Sequence, residues 1–246
     1  MMGGFPAGFG RVALAEAVVL HRRAYRETSL LVEAFSADHG RVRLLAKGAQ
    51  RGRAPLARWL QPFIPLRLSW SGRGELPVVT GAEPGEEAIP LTGQDLFCGF
   101  YLNELLLKLL PVHDPHPGVF RLYLAALRQL GAGKGRERTL RDFEVALLDE
   151  IGYGLALDRE AVSGDAIDPA KRYVYVIDQG PVATDQAGED TVSGATLIAL
   201  RQRRFAEAGE LAEAKRLLRR VIHAHLNGRT LKSRDLFKPV ERKELP

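Results

Sequence analysis

Between Gly40 and Leu66 the chain reads GRVRLLAKGAQRGRAPLARWLQPFIPL, with Arg41, Arg43, Lys47, Arg51, Arg53 and Arg58 and not one Asp or Glu. A second basic cluster, Arg22, Arg23 and Arg26, surrounds Tyr25. Cations without interleaved acids, next to an aromatic ring, are suited to holding a polyanion. Lys and Arg neutralise phosphates, and a ring stacks on a base. Arg41, Arg43 and Lys47 alternate with Val42, Leu44 and Ala46, so they share one strand face with Leu45. That face does not enter a core, because an unpaired charge is too costly there. It meets solvent or an anion, and a plain solvated face is the ordinary alternative. Trp59 and Phe63 read as core; Tyr25, in a polar loop, is the stacking candidate.

Other constellations yield less chemistry. His113 and His116 flank Asp114 in PVHDPHP, which reads as an interhelical turn rather than a metal site. His223 and His225 are two apart and diverge on a helix, as do the adjacent Asp149 and Glu150. There is no P-loop and no G-x-S-x-G elbow. No catalytic residue, cofactor site or metal site is predicted. Cys98 is the only cysteine, so neither an intrachain disulfide nor a multi-thiolate zinc site is open to the sequence.

The elements that must position the cations follow from periodicity. Val12–His21, Thr28–Phe35, Arg41–Lys47, Phe63–Trp70 and Leu76–Thr80 read as five short strands, with turns at Ser36–Gly40 and Ser71–Glu75. Arg22, Arg23 and Arg26 then fall in the loop between the first two strands. Five strands in about 80 residues point to a small closed barrel, most commonly an OB-fold, whose strands 2–3 and first loop hold oligonucleotides. Periodicity alone does not separate it from an SH3-like barrel. Helices are predicted over Leu96–Leu110 with a cap at Thr92 and Asp95, over Pro117–Leu130, and over Thr139–Ile151 with Thr139 as the cap. Two more follow over Thr191–Phe205 and Glu210–Asn227. Residues 161–191 are Gly- and Asp-rich around KRYVYVI and read as a hairpin or ornate loop. The fold class is α+β: an N-terminal barrel domain over 1–83, then a helical domain over 84–246 with a small insertion at about 158–191.

The charge follows the same division. Residues 1–83 carry 12 Lys and Arg against 6 Asp and Glu, residues 84–160 carry 8 against 12, and residues 161–246 carry 15 against 12. The net charge of +5 permits a nucleic-acid partner without requiring one. The apolar run Leu96–Leu110 is interrupted by Asn103, Glu104 and Lys108 and is shorter than the ~20 residues a bilayer needs. A cytoplasmic protein is expected.

The strings YRETSLLVEAFSADHGRVRLLAKGAQRGRAPL, LQPFIPLRLSWSGRGEL, GFYLNELLLKLL, LRDFEVALLDEIGYG and LKSRDLF, in that order, resemble the bacterial RecO family of DNA repair and recombination proteins. The resemblance runs from about Val12 to Phe237. It implies an OB-fold, a helical bundle and no enzyme. It implies a mediator that binds single- and double-stranded DNA, anneals complementary strands and works with RecR. It also implies help in loading RecA onto DNA coated by single-strand-binding protein (SSB), whose acidic C-terminal tail some members bind. One departure stands out: many members carry a four-cysteine zinc site where residues 158–191 of this chain have no cysteine.

On this reading the DNA-binding candidates are Arg22, Arg23, Tyr25, Arg26, Arg41, Arg43, Lys47, Arg51, Arg53 and Arg58, with Lys232 and Arg234 of LKSRDLF as a further contact. Alternatively, Leu231, Leu236 and Phe237 anchor that late segment on the bundle. About six phosphate contacts would give a salt slope of about −4 on a single strand. An acidic tail ending in an apolar residue needs an apolar pocket rimmed by cations. Arg121, Arg128 and Arg141 near Phe120, Leu124 and Phe143 are the expected site for the SSB tail. Two other classes stay open on residues alone: an OB-fold protein for single-stranded RNA or DNA in general, and a metal-dependent DNA-processing enzyme.

Overall fold

The computed structural model describes residues 10–50, 55–133, 135–226 and 228–237. The chain divides into two compact units, one ending at Arg121 and the other beginning at Leu122.

The first unit is built on a closed five-stranded barrel. Its strands are β1 (Arg11–Tyr25), β2 (Ser29–Ser36), β3 (Gly40–Ala46), β4 (Pro65–Ser71) and β5 (Val78–Pro84), in the order β1-β2-β3-β5-β4. All pairings are antiparallel except β3–β5, which pair parallel at Leu45 and Val78. This is the OB-fold, with its short helix α1 (Pro55–Trp59) between β3 and β4. Alternate residues fill the barrel: Val32 and Ala34 from β2, Val42, Leu44 and Ala46 from β3, Leu66, Leu68 and Trp70 from β4. That alternation is why these segments are strands rather than helices. Gly40 ends the β2–β3 turn at φ +63°, and a Cβ there would lie 2.1 Å from the Asp114 carbonyl oxygen. Only glycine meets both demands.

One irregularity in β1 decides which residues face outward. The register against β2 shifts between Val19 and His21. Before it Ala15, Ala17 and Val19 point into the barrel. After it His21 and Arg23 are exposed and Tyr25 is half-buried, so odd-numbered residues now point out. The extra residue is Leu20, a β-bulge. Its carbonyl accepts a 2.8 Å hydrogen bond from Nδ2 of the buried Asn103 in α2 (Gly93–Leu109). The strand runs four residues beyond the expected end at His21. Arg22 and Arg23 are therefore strand residues, and only Arg26 lies in the turn.

The second unit holds most of α3 (Pro117–Gly131), then α4 (Arg136–Glu150), α5 (Gly194–Gln202) and α6 (Ala208–His225). A three-stranded sheet of order β7-β6-β8, from β6 (Arg172–Val176), β7 (Gly180–Thr184) and β8 (Thr191–Ser193), occupies the stretch expected to be a hairpin or ornate loop and takes the first residues of the helix expected over Thr191–Phe205. LKSRDLF forms a 3-10 turn over Lys232–Phe237. Two cap expectations differ from what is observed. Thr92 precedes α2 but makes no side-chain cap hydrogen bond. α4 starts three residues before Thr139, after Gly135, and Thr139 instead donates to the side chain of Gln129 at 3.2 Å. The compact division at 121/122 places α2 with the barrel, where Asn103 fastens the helix to β1 and Arg41 fastens its C-terminal end.

No helix among the described residues is long and apolar enough to cross a membrane.

Candidate nucleic-acid interface

The outer face of β1, β2 and β3 carries cross-strand rows that the registers place side by side. His21 lies opposite Glu33, and Glu33 opposite Arg43. Arg23 lies opposite Leu31, and Leu31 opposite Leu45. Tyr25 pairs with Ser29 beyond them. The rows border two neighbouring depressions. One is lined by His21, Arg23, Leu31, Glu33 and Arg43. The other is lined by Tyr25, Arg26, Leu45 and Lys47. Leu31 and Leu45 give the face an apolar floor and the four cations give it a basic rim. Cations beside apolar surface and the Tyr25 ring are groups that a single strand could use.

Arg41 is a correction. It shares the strand face of Arg43, yet its side chain is 8% exposed against 57% for Arg43. Its Nη1 donates to the carbonyls of Leu107 at 2.5 Å and Leu110 at 2.7 Å, in the last turn of α2 and at its cap. The guanidinium satisfies open carbonyls at the negative end of the helix dipole. It is a structural residue, unavailable to a phosphate. Glu33 bridges the two arginines, accepting from Arg41 Nη2 at 3.1 Å and Arg43 Nε at 2.8 Å. The basic ladder is thus not free of acid once β2 is laid beside it.

The remaining candidates scatter. Arg22 points away from Arg23 and donates to the Ala57 carbonyl at 3.3 Å. Arg58 is exposed with its guanidinium 4.6 Å from the centre of the Trp59 ring, while Trp59 packs on the barrel core. Arg26 reaches over Tyr25 at 5.3 Å. Arg51 and Arg53 lie outside the described residues. Lys232 is exposed and Arg234 half-buried in the 3-10 turn. That turn is anchored by buried Leu231 and Ser233, while Leu236 and Phe237 are exposed.

Most of the set expected for an acidic tail is buried. Phe120, Leu124 and Phe143 are all core, and Phe120 packs edge-on against Phe35. Arg141 is buried and grips Glu144 with two hydrogen bonds of 2.6 and 2.7 Å, adding Glu137 at 3.3 Å. Only Arg121 and Arg128 of that set are exposed. The acids at i−4 and i+3 from Arg141 were the signal of an internal pair.

Three residues escaped sequence reasoning. His21 and Glu33 belong to the outer face only through the bulge and the strand register. Glu213 is the third. Burial pushes its carboxyl up, but hydrogen bonds from the Ser193 N–H and hydroxyl, the Thr196 hydroxyl and Arg172 outweigh this and hold it down at about 2. The carboxylate ties β8, α5 and β6 to α6. Among the described residues no group of three or more His, Cys, Asp or Glu is placed to hold a metal ion.

Two family descriptions match the chain: Recombination protein O N terminal over residues 12–87 and Recombination protein O C terminal over residues 91–235. The chain is similar to the DNA repair protein RecO of Methylococcus capsulatus, 56% identical over 229 residues that span 93% of this chain and 94% of that one. The DNA repair protein RecO of Nitrosococcus oceani is 47% identical over 235 residues, spanning 94% and 95%. That of Photobacterium profundum is 43% identical over 229 residues, spanning 93% and 97%.

Proposed function

The chain belongs to the recombination protein O (RecO) family, and from that premise we propose that it is a recombinational DNA repair mediator that grips DNA on the outer face of β1–β3. In this role it binds single- and double-stranded DNA and anneals complementary strands. It acts with RecR and helps RecA load onto SSB-coated DNA, in the cytoplasm at the nucleoid. The observation that carries the reading is the pair of neighbouring depressions with Leu31 and Leu45 as floor and Arg23, Arg26, Arg43 and Lys47 as rim. No step in this role needs a catalytic group. The protein holds two strands, screens their mutual repulsion and lets base pairing do the rest. The grip must be reversible, because a strand held too tightly is not released into a duplex. A rim of four cations fits that need, giving a salt slope of about −3 on a single strand.

The test is annealing of complementary SSB-coated oligonucleotides, without ATP or metal. The variants are wild type and Arg23→Glu/Arg43→Glu/Lys47→Glu. Annealing by wild type, with at least a hundredfold loss of single-strand affinity in the folded variant, is expected. Annealing that survives the three reversals would move the DNA site elsewhere, first to Lys232 and Arg234. A matched RNA strand that competes as well as DNA would favour a general single-strand binder.

A further inference from the structure

The helix α6 is amphipathic in an unusual way. Ala214, Leu217, Leu218, Val221 and Ile222 are buried, and the opposite face carries Arg216, Arg219, Arg220 and His223. The spacing i, i+3, i+4, i+7 puts these four on one stripe about 10 Å long. We infer that this stripe is a second DNA site, which holds a duplex by the phosphates of one strand, whatever the base sequence. The inference rests on the proposed DNA-binding role and adds to it a duplex site that shares no residue with the face of β1–β3.

Folding leaves these cations weakly matched. Arg219 is exposed and makes no hydrogen bond or ion pair among the described residues. Arg216 stands 4.0 Å from Glu213, whose carboxylate already accepts from Arg172, Ser193 and Thr196. Arg220 meets Asp190 at 2.8 Å, but that carboxyl is 82% exposed, and so open a pair exchanges readily for a phosphate. Each guanidinium can grip phosphate oxygens with two parallel hydrogen bonds. A length of about 10 Å covers about three phosphate steps along one strand of a duplex, one for each arginine. What the stripe lacks decides the class of ligand. From Ala212 to Ala224 the exposed face carries no Phe, Tyr or Trp and no apolar side chain larger than alanine. A single strand finds no platform there for its bases. An acidic peptide with an apolar end finds no pocket. A duplex keeps its bases stacked inside and presents its backbone, which is all that this face can bind.

The experiment is fluorescence anisotropy across a salt series, with a labelled duplex of mixed sequence, a labelled oligothymidine strand and, as a control surface, vesicles of phosphatidylglycerol. It uses the full chain as wild type, Arg216→Ala/Arg219→Ala/Arg220→Ala and Arg219→Ala. The triple variant should lose about tenfold or more in duplex affinity at about 0.1 M salt, with a salt slope shallower by about 2.7. Arg219→Ala, which breaks no contact of the fold, should make the slope shallower by about 0.9. Both variants should hold the oligothymidine strand as wild type does. Duplex binding unchanged in both variants would overturn the inference and leave the barrel-face reading standing, as would equal losses on duplex and strand. Unchanged duplex binding with lost vesicle binding would assign the stripe to a membrane surface instead. Wild type that binds the strand but not the duplex would overturn this inference alone. Wild type that binds neither would remove the DNA-binding reading with it.

Discussion

The barrel face and the helical unit are both rich in arginine, and they treat it in opposite ways. On the outer face of β1–β3 the cations Arg23, Arg26, Arg43 and Lys47 share the two depressions with one carboxylate, Glu33. In the second unit many of the arginines have carboxylate partners of their own. Arg141 holds Glu144 and Glu137, Arg172 holds Glu213, Arg201 holds Asp158, Arg203 holds Asp149 and Arg220 holds Asp190. Counting charge along the sequence does not separate the two cases. What separates them is how many acids folding brings to each set of bases: one for the four cations of the barrel face, and one or more for each of these arginines of the second unit. Charge left over after folding is available to a ligand; charge that is matched holds the fold together.

The comparison breaks most sharply at Arg141. Arg141→Ala should cost about 3–5 kcal/mol by leaving Glu144 buried without its partner, read from chemical denaturation, with single-strand affinity of the folded protein unchanged. A shift in DNA affinity would mean that the matched set also serves the ligand. Next come Arg41 and Arg43, two residues apart on one strand. Arg41→Ala should lose about 3 kcal/mol of stability and keep DNA binding. Arg43→Ala should do the reverse: thermal unfolding as in wild type, and a salt slope shallower by about 0.7. If the two variants behave alike, the division drawn here is wrong.

A smaller effect is expected at Glu213. Its folded pKa is depressed from 4.5 to about 2, so its contribution is complete above pH 4.5 and is lost as pH falls toward 2. Glu213→Gln should cost about 2 kcal/mol at neutral pH. The difference from wild type should close across that acid window, and a gap that persists unchanged at the acid end would show that the charge is not the cause. The smallest effect is at Tyr25. Tyr25→Ala should weaken single-strand binding by about 1 kcal/mol or more through lost stacking, equally for different base sequences.

The sequence alone carried the architecture further than it carried the site. Five strands and a run of helices were legible from local periodicity, the OB-fold rather than another small barrel came from the family resemblance, and the insertion was legible only as a hairpin or loop. The alternation over Arg41–Lys47 was also read correctly. What it could not reveal is that α2 ends over the Arg41 end of that face, since Leu107 and Leu110 are more than 60 residues away in the chain. Glu33 was equally invisible without the β2–β3 register. Arg22 and Arg23 were assigned to a loop because the bulge at Leu20 interrupts alternation where the strand in fact continues. Thr139 failed as a cap because a glycine upstream offered an earlier start to the helix. Arg141 was readable in principle, from its acids one helical turn away on either side.

The bulge at Leu20 also bears on how the binding edge tolerates change over evolutionary time. Substitutions at His21, Arg23 or Tyr25 alter one contact each and leave the barrel standing. A deletion of one codon at Leu20 is a different event. It would restore strict alternation through β1 with His21, Arg23 and Tyr25 still facing out, but it would remove the local bend and added twist that the bulge gives the strand. It would also take away the carbonyl that Asn103 holds. One more residue between Leu20 and His21 would instead turn the three side chains toward the barrel interior, so both kinds of length variant should be rarer there than point variants.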